Sequence, residues 1–134
     1  MQGQDRSAVL LIDHHRARFF ETGHDGRLVE REHLEPKDPH GFERHLEHRK
    51  EAHYQGERVP EATEFYERVA ERLGGASSIV LIGDATGKSS ALRYFVEFLE
   101  KRHKELARRV VTTERADLSS IGLAEIQRIA QRHA

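Results

Sequence analysis

Apolar side chains are gathered into short runs separated by charged stretches, and their spacing changes along the chain. AVLLID, residues 8 to 13, is a continuous apolar run closed by an aspartate, as in a buried strand. RARFFE, residues 16 to 21, sets Ala17 and Phe19 against Arg16, Arg18 and Phe20 and reads as its hairpin partner, with His14 and His15 at the turn. Asp25-Gly26 is a second turn signal, after which RLVEREHL carries Leu28, Glu30 and Glu32 against Val29, the pattern of an edge-like third strand.

Between Glu35 and Val59 periodicity fails. Pro36, Pro39, Gly41 and Gly56 punctuate a run of acids, bases and histidines in which Phe42, Leu46 and Tyr54 are the large apolar residues, so a long loop with a short helix near residues 41 to 52 is expected. Pro60 suits a first helical turn, Glu61 and Glu64 suit the positive helix end, and Ala62, Phe65, Val69 and Leu73 share a face up to Gly74-Gly75. SSIVLIG is apolar on both faces, which predicts a parallel strand. A helix is predicted from about Gly87 to Arg102 with Leu92, Phe95, Val96 and Leu99 inward. A strand is predicted over residues 107 to 114, and a last helix, capped by Ser119 or Ser120, carries Leu123, Ile126, Ile129 and Ala130.

The order β-β-β-α-β-α-β-α predicts an α/β domain: a mixed five-stranded sheet, ribonuclease-H-like, with helices on both faces, formed by residues 1 to 134 as a single unit. A chain of 134 residues can bury roughly 70% of its unfolded surface. Charged residues are 34% of the chain, yet the formal net charge is -1, so any nucleic acid must be met by a local patch and not by global attraction. The absence of cysteine excludes disulfides, thiolate catalysis and Cys-containing zinc sites. No apolar run could span a bilayer, and MQGQDRS lacks the plan of a signal peptide, so no membrane partner and a cytoplasmic location are expected.

SSIVLIGDATGKSSAL invites comparison with a phosphate-binding loop. A Walker loop requires four residues between its glycines; here only Asp84, Ala85 and Thr86 separate Gly83 from Gly87, and Asp84 would sit close to any bound phosphate. Neither nucleoside triphosphate binding nor any other cofactor is expected. A weaker anion site, of the kind an RNA backbone could use, remains open at Gly83, Gly87, Lys88 and Ser89.

VLIGDATGK resembles the strand-to-helix corner of the middle domain of archaeal and eukaryotic peptide-chain release factors and of Pelota, through Gly83, Ala85 and Lys88. IDHHRARFF and LARRVVTTERAD are similar to motifs of small bacterial single-domain relatives often called translational machinery proteins, through Ile12, Asp13, His14, Ala17, Arg18, Leu106, Ala107, Arg109, Val110, Val111, Glu114 and Asp117. The resemblance implies the same ribonuclease-H-like fold and a translation-associated role with the ribosome, ribosomal RNA or tRNA as partner. Release factors of this kind carry Gly-Gly-Gln after the opening strands. The corresponding loop here has no such triplet, which implies no peptide-release activity and no catalytic residue.

Two clusters could meet RNA. KRHKELARR supplies Lys101, Arg102, Lys104, Arg108 and Arg109, and the long loop supplies His45, His48, Arg49, Lys50 and His53. In residues 37 to 58 Lys37, Arg44, Arg49, Lys50 and Arg58 balance Asp38, Glu43, Glu47, Glu51 and Glu57, so only histidine protonation makes that loop basic. His45, His48 and His53 have zinc-like spacing but lack a supported fourth ligand, so no metal is expected there. Alternatives are a metal-dependent nuclease using Asp13, Asp84 and Asp117, as in ribonuclease H, and a homodimeric or stress-related protein whose long loop packs on a second copy.

Overall fold

A computed structural model describes residues 6–13, 15–23, 25–36, 60–85 and 91–132. The strands are β1 (Ser7–Ile12), β2 (Ala17–Thr22), β3 (Leu28–Leu34), β4 (Ser78–Asp84) and β5 (Val110–Ala116); the helices are α1 (Pro60–Leu73), α2 (Ala91–Arg102), α3 (Lys104–Arg109) and α4 (Leu123–Arg132). The strands form one sheet in the order β3-β2-β1-β4-β5. β1 pairs antiparallel with β2 and parallel with β4, β2 pairs antiparallel with β3, and β4 pairs parallel with β5. This is the mixed ribonuclease-H-like sheet that the element order predicts. The expected helix near residues 41 to 52 lies outside the described residues.

The sheet separates two apolar layers. Alternation along β1 sends Ala8, Leu10 and Ile12 to the face packed by α1, α2 and α3, with Phe65, Val69, Phe95, Phe98 and Leu106. It sends Val9 and Leu11 to the other face, where Phe20, Leu28, Val80 and Ile82 meet Ile126 and Ile129 of α4. Hence β1 and β4 are apolar on both sides, and Phe20, which breaks the alternation expected of β2, is buried on the second face.

Two bulges adapt the outer strands to this division. Phe19 pairs with Glu32 but Phe20 with Glu30, so Arg31 is the extra residue in β3. Leu28 and Leu34, six residues apart, would share a face in a regular strand; instead Leu28 joins the α4 layer and Leu34 packs against the other. In β5, Val110 pairs with Ile79 and Thr112 with Val80, leaving Val111 as the extra residue, half exposed at 50%.

Three expectations need correction. The strand predicted from Ala107 begins only at Val110, because residues 104 to 109 form α3, an element added to the predicted order. The helix before it breaks at His103, whose backbone leaves helical values at φ -139 and ψ 64 while its side chain reaches Glu67 of α1 at 2.8 Å. Neither Ser119 nor Ser120 caps α4: both belong to a turn built on Asp117, and the first helical bond runs from the Ile126 N–H to the Gly122 carbonyl. As a result Leu123, expected to face inward, is 51% exposed. Phe98 extends the inward stripe of α2 beyond the residues the periodicity singles out. No helix among the described residues is long and apolar enough to cross a membrane.

Candidate functional site

The corner after β4 is shaped by packing. A Cβ on Gly83 would lie 2.6 Å from the Leu92 Cβ and 2.7 Å from its Cδ2, so the glycine is what lets α2 lie close on the sheet. Gly83 is buried and faces α2, while the next residue, Asp84, faces the other side. Gly87, Lys88 and Ser89 lie outside the described residues, as do His45, His48, Arg49, Lys50 and His53 of the long loop.

The cations of the 101 to 109 cluster have different partners. Arg109 donates to the carbonyls of Gly74 and Ala76, both at 3.1 Å, and so fastens the start of β5 to the turn ending α1. Arg102 lies 3.7 Å from Glu67 and 6.0 Å from the centre of the Phe98 ring. Arg108 is paired with Glu105 one turn earlier on the exposed surface of α3, and Lys101 and Lys104 are exposed.

Two of the three aspartates share a cleft, and Asp117 does not line it. The Asp13 Oδ1 accepts the His15 and Arg16 N–H groups at 2.7 and 2.9 Å, closing the β1–β2 hairpin. Asp117 accepts the Ser119 hydroxyl and N–H, and these bonds, the hydroxyl first, hold its carboxyl below the usual range. Asp84 follows Gly83, the β4 partner of Ile12, so Asp13 and Asp84 end adjacent parallel strands and line one cleft. Among the described residues no three histidine, cysteine or carboxylate side chains lie close enough to hold a metal ion.

That cleft has a volume of about 450 Å³ and opens on the α4 face at the carboxyl ends of β1 and β4. Arg16 and Arg18 from the β2 side, Leu11 from the floor, and Leu118 and Ile121 from the connection to α4 complete it. The chain leaves β1 for β2 on one side and leaves β4 for β5 on the other, so the cleft sits where the winding of the sheet reverses, the usual ligand position in open α/β sheets. The sequence singles out both its carboxylates, but not Arg16, Leu118 or Ile121, which come together only through strand order.

Arg18 makes a two-pronged pair with Glu30, with both hydrogen bonds at 3.0 Å, and its guanidinium lies 5.2 Å from the Phe20 ring centre. This bonding holds Glu30 below and raises Arg18 above its ordinary value. Because the folded value of Glu30 is depressed, the pair's contribution is full above the ordinary glutamate range and is lost as the pH falls through the lower folded value. Glu30→Gln is expected to cost under about 1 kcal/mol at neutral pH, since both groups are partly exposed, and to flatten acid unfolding profiles. An equal change of urea-derived stability with pH in the two proteins across the acid range would contradict this.

Strand order and helix placement thus define a ribonuclease-H-like α/β domain with a polar cleft at its winding reversal. Solved structures of that kind similar to it include Pelota from Archaeoglobus fulgidus, with TM-score 0.57, 18% identity and 95% of this chain covered. Pelota from Thermoplasma acidophilum follows, with TM-score 0.52, 14% identity and 87% covered. An archaeal translation termination factor, aRF1, matches with TM-score 0.52 and 14% identity over 98% of this chain. The chain spans only 31%, 30% and 39% of the length of those proteins, and at such identities the likeness is one of fold. No protein-family model matches the sequence, and no curated protein does so significantly.

Proposed function

We propose that this chain is a translation-associated domain of the bacterial single-domain type that docks on the ribosome, through ribosomal RNA or tRNA, and does not release peptides. The observation that carries the reading is its likeness over nearly the whole chain to a domain-sized part of Pelota and of a translation termination factor. The absence of Gly-Gly-Gln from the sequence supports a docking role without release chemistry. The contact surface is assigned to the exposed Lys101, Lys104 and Arg108, the last paired with Glu105, together with Lys88 and the histidine-rich loop. Arg109 supports that surface through the carbonyls of residues 74 and 76, and the exposed Arg102 lies beside Glu67 at its edge.

Co-sedimentation with ribosomes at graded salt tests this. Association should weaken steeply with salt, and joint reversal of Lys101, Lys104 and Arg108 to glutamate should lower the bound fraction about tenfold or more while leaving the fold intact. Reversal at Arg109 is uninformative, because it would also detach β5 from the turn after α1. A wild-type chain that stays off ribosomes at low salt would overturn the reading.

A further inference from the structure

The cleft between Asp84 and Arg16 has a ligand chemistry of its own. Its floor and one wall are apolar, formed by Leu11, Leu118 and Ile121. Its ends differ in charge: Asp84 belongs to β4, and Arg16 and Arg18 belong to the hairpin arm on the far side of β1, while Asp13 between them has its Oδ1 held by the His15 and Arg16 N–H groups. Two strand spacings separate β2 from β4, or about 10 Å. Arg18 is already neutralised by Glu30, whereas the exposed Arg16, whose backbone is bonded to Asp13, makes no side-chain hydrogen bond or close ion pair among the described residues and acts on Glu30 only at longer range. At the opposite pole the carboxylate can accept from an amino group but repels an anion.

A ligand matching this needs a flat apolar body, an amino group at one end and an anionic group roughly 10 Å away. A nucleoside monophosphate with an amino-bearing base has these parts in that order. We propose that the cleft binds one such nucleotide unit, free or within single-stranded RNA, with the exocyclic amino group of adenine or cytosine on Asp84, the ring over Leu118 and Ile121, and the phosphate on Arg16. Carboxylates accept from base amino groups in the same way elsewhere. The site is distinct from the glycine corner of β4, because Gly83 faces α2 and Asp84 faces the cleft. The proposal deepens the RNA-docking reading and rests on it.

Amide NMR titration with AMP, CMP and UMP, and with short oligo-A and oligo-U, tests it. AMP and CMP should shift the amides of Leu11, Arg16, Asp84, Leu118 and Ile121, and should bind about tenfold tighter than UMP. Arg16→Ala should weaken every nucleotide about tenfold, while Asp84→Asn should remove the preference for amino-bearing bases. Tighter binding of oligo-A than of AMP assigns the site to RNA; equal binding assigns it to a free nucleotide. Silence at millimolar nucleotide, shifts confined to residues 101 to 109, or equal affinity for UMP would overturn the proposal. Ribosome co-sedimentation of the two variants separates the readings: if wild type and both variants sediment alike while the cleft is silent, this inference falls and ribosome docking stands. If nucleotides bind as described but wild type never sediments, the docking reading falls instead.

Discussion

Phe95→Ala is expected to destabilise the domain by about 3–5 kcal/mol, a large share of the roughly 5–15 kcal/mol available to a domain of this size. Phe95 is 0% exposed and stands where α1 and α2 meet the sheet, with its ring centre 5.6 Å from that of Tyr66 and 6.3 Å from that of Phe98. Truncation removes the transfer energy of the ring and leaves a cavity between elements tied to a five-stranded sheet, which limits how far they can close in. Thermal melting should fall by about 10 °C or more. Leu123→Ala, at a half-exposed helix start, should move the midpoint little. A Phe95→Ala midpoint within a degree or two of wild type would show that this aromatic layer is not the organising core.

Gly83→Ala should be nearly as costly for the opposite reason. The added methyl would stand 2.6 Å from the Leu92 Cβ, an atom fixed to the backbone of α2, so relief requires the helix to lift from the sheet. Overpacking of this kind costs typically 1–3 kcal/mol, and more where rigid elements must part. Leu92→Gly removes the clashing atoms but also empties a buried site and puts glycine in a helix, so the double mutant should lose clearly less than the sum of the two single losses. A double mutant less stable than the sum of the two single changes would argue against this contact as the source. Ribosome association should survive Gly83→Ala under conditions where the domain remains folded, because the glycine acts in packing.

The glycine corner shows how sequence and structure divide the information. Its spacing, one residue short of a triphosphate loop, is readable directly, because backbone amides can wrap a phosphate only with the right number of residues. Why Gly83 must be glycine is not readable, since the reason lies nine residues on, in a leucine that α2 brings onto the strand. The 101 to 109 cluster divides in the same way. Composition marks it as basic, but identical charges have different uses: Arg109 holds two carbonyls, Arg102 meets Glu67 and Arg108 meets Glu105, whereas Lys101 and Lys104 are exposed.

Local pattern therefore settles the elements that bury both faces or one clear stripe: β1, β2, β4, α1 and the body of α2 follow from side-chain periodicity, and with them the mixed class of the sheet. It places β3 but not the facing of its side chains, and it misplaces the starts of β5 and α4. There a single extra residue at Arg31 or Val111, or a turn organised by Asp117, changes which side chains face inward, and periodicity assumes that no such residue intervenes. The cleft belongs to the same class of fact. Asp13 and Asp84 are 71 positions apart in the chain, and become neighbours because parallel pairing of β1 with β4 aligns Ile12 with Gly83. Arg16 and Ile121 reach the same space through two further connections. Residue types state what a side chain can bind; long-range strand pairing, which lies beyond the reach of local periodicity, states which side chains bind together.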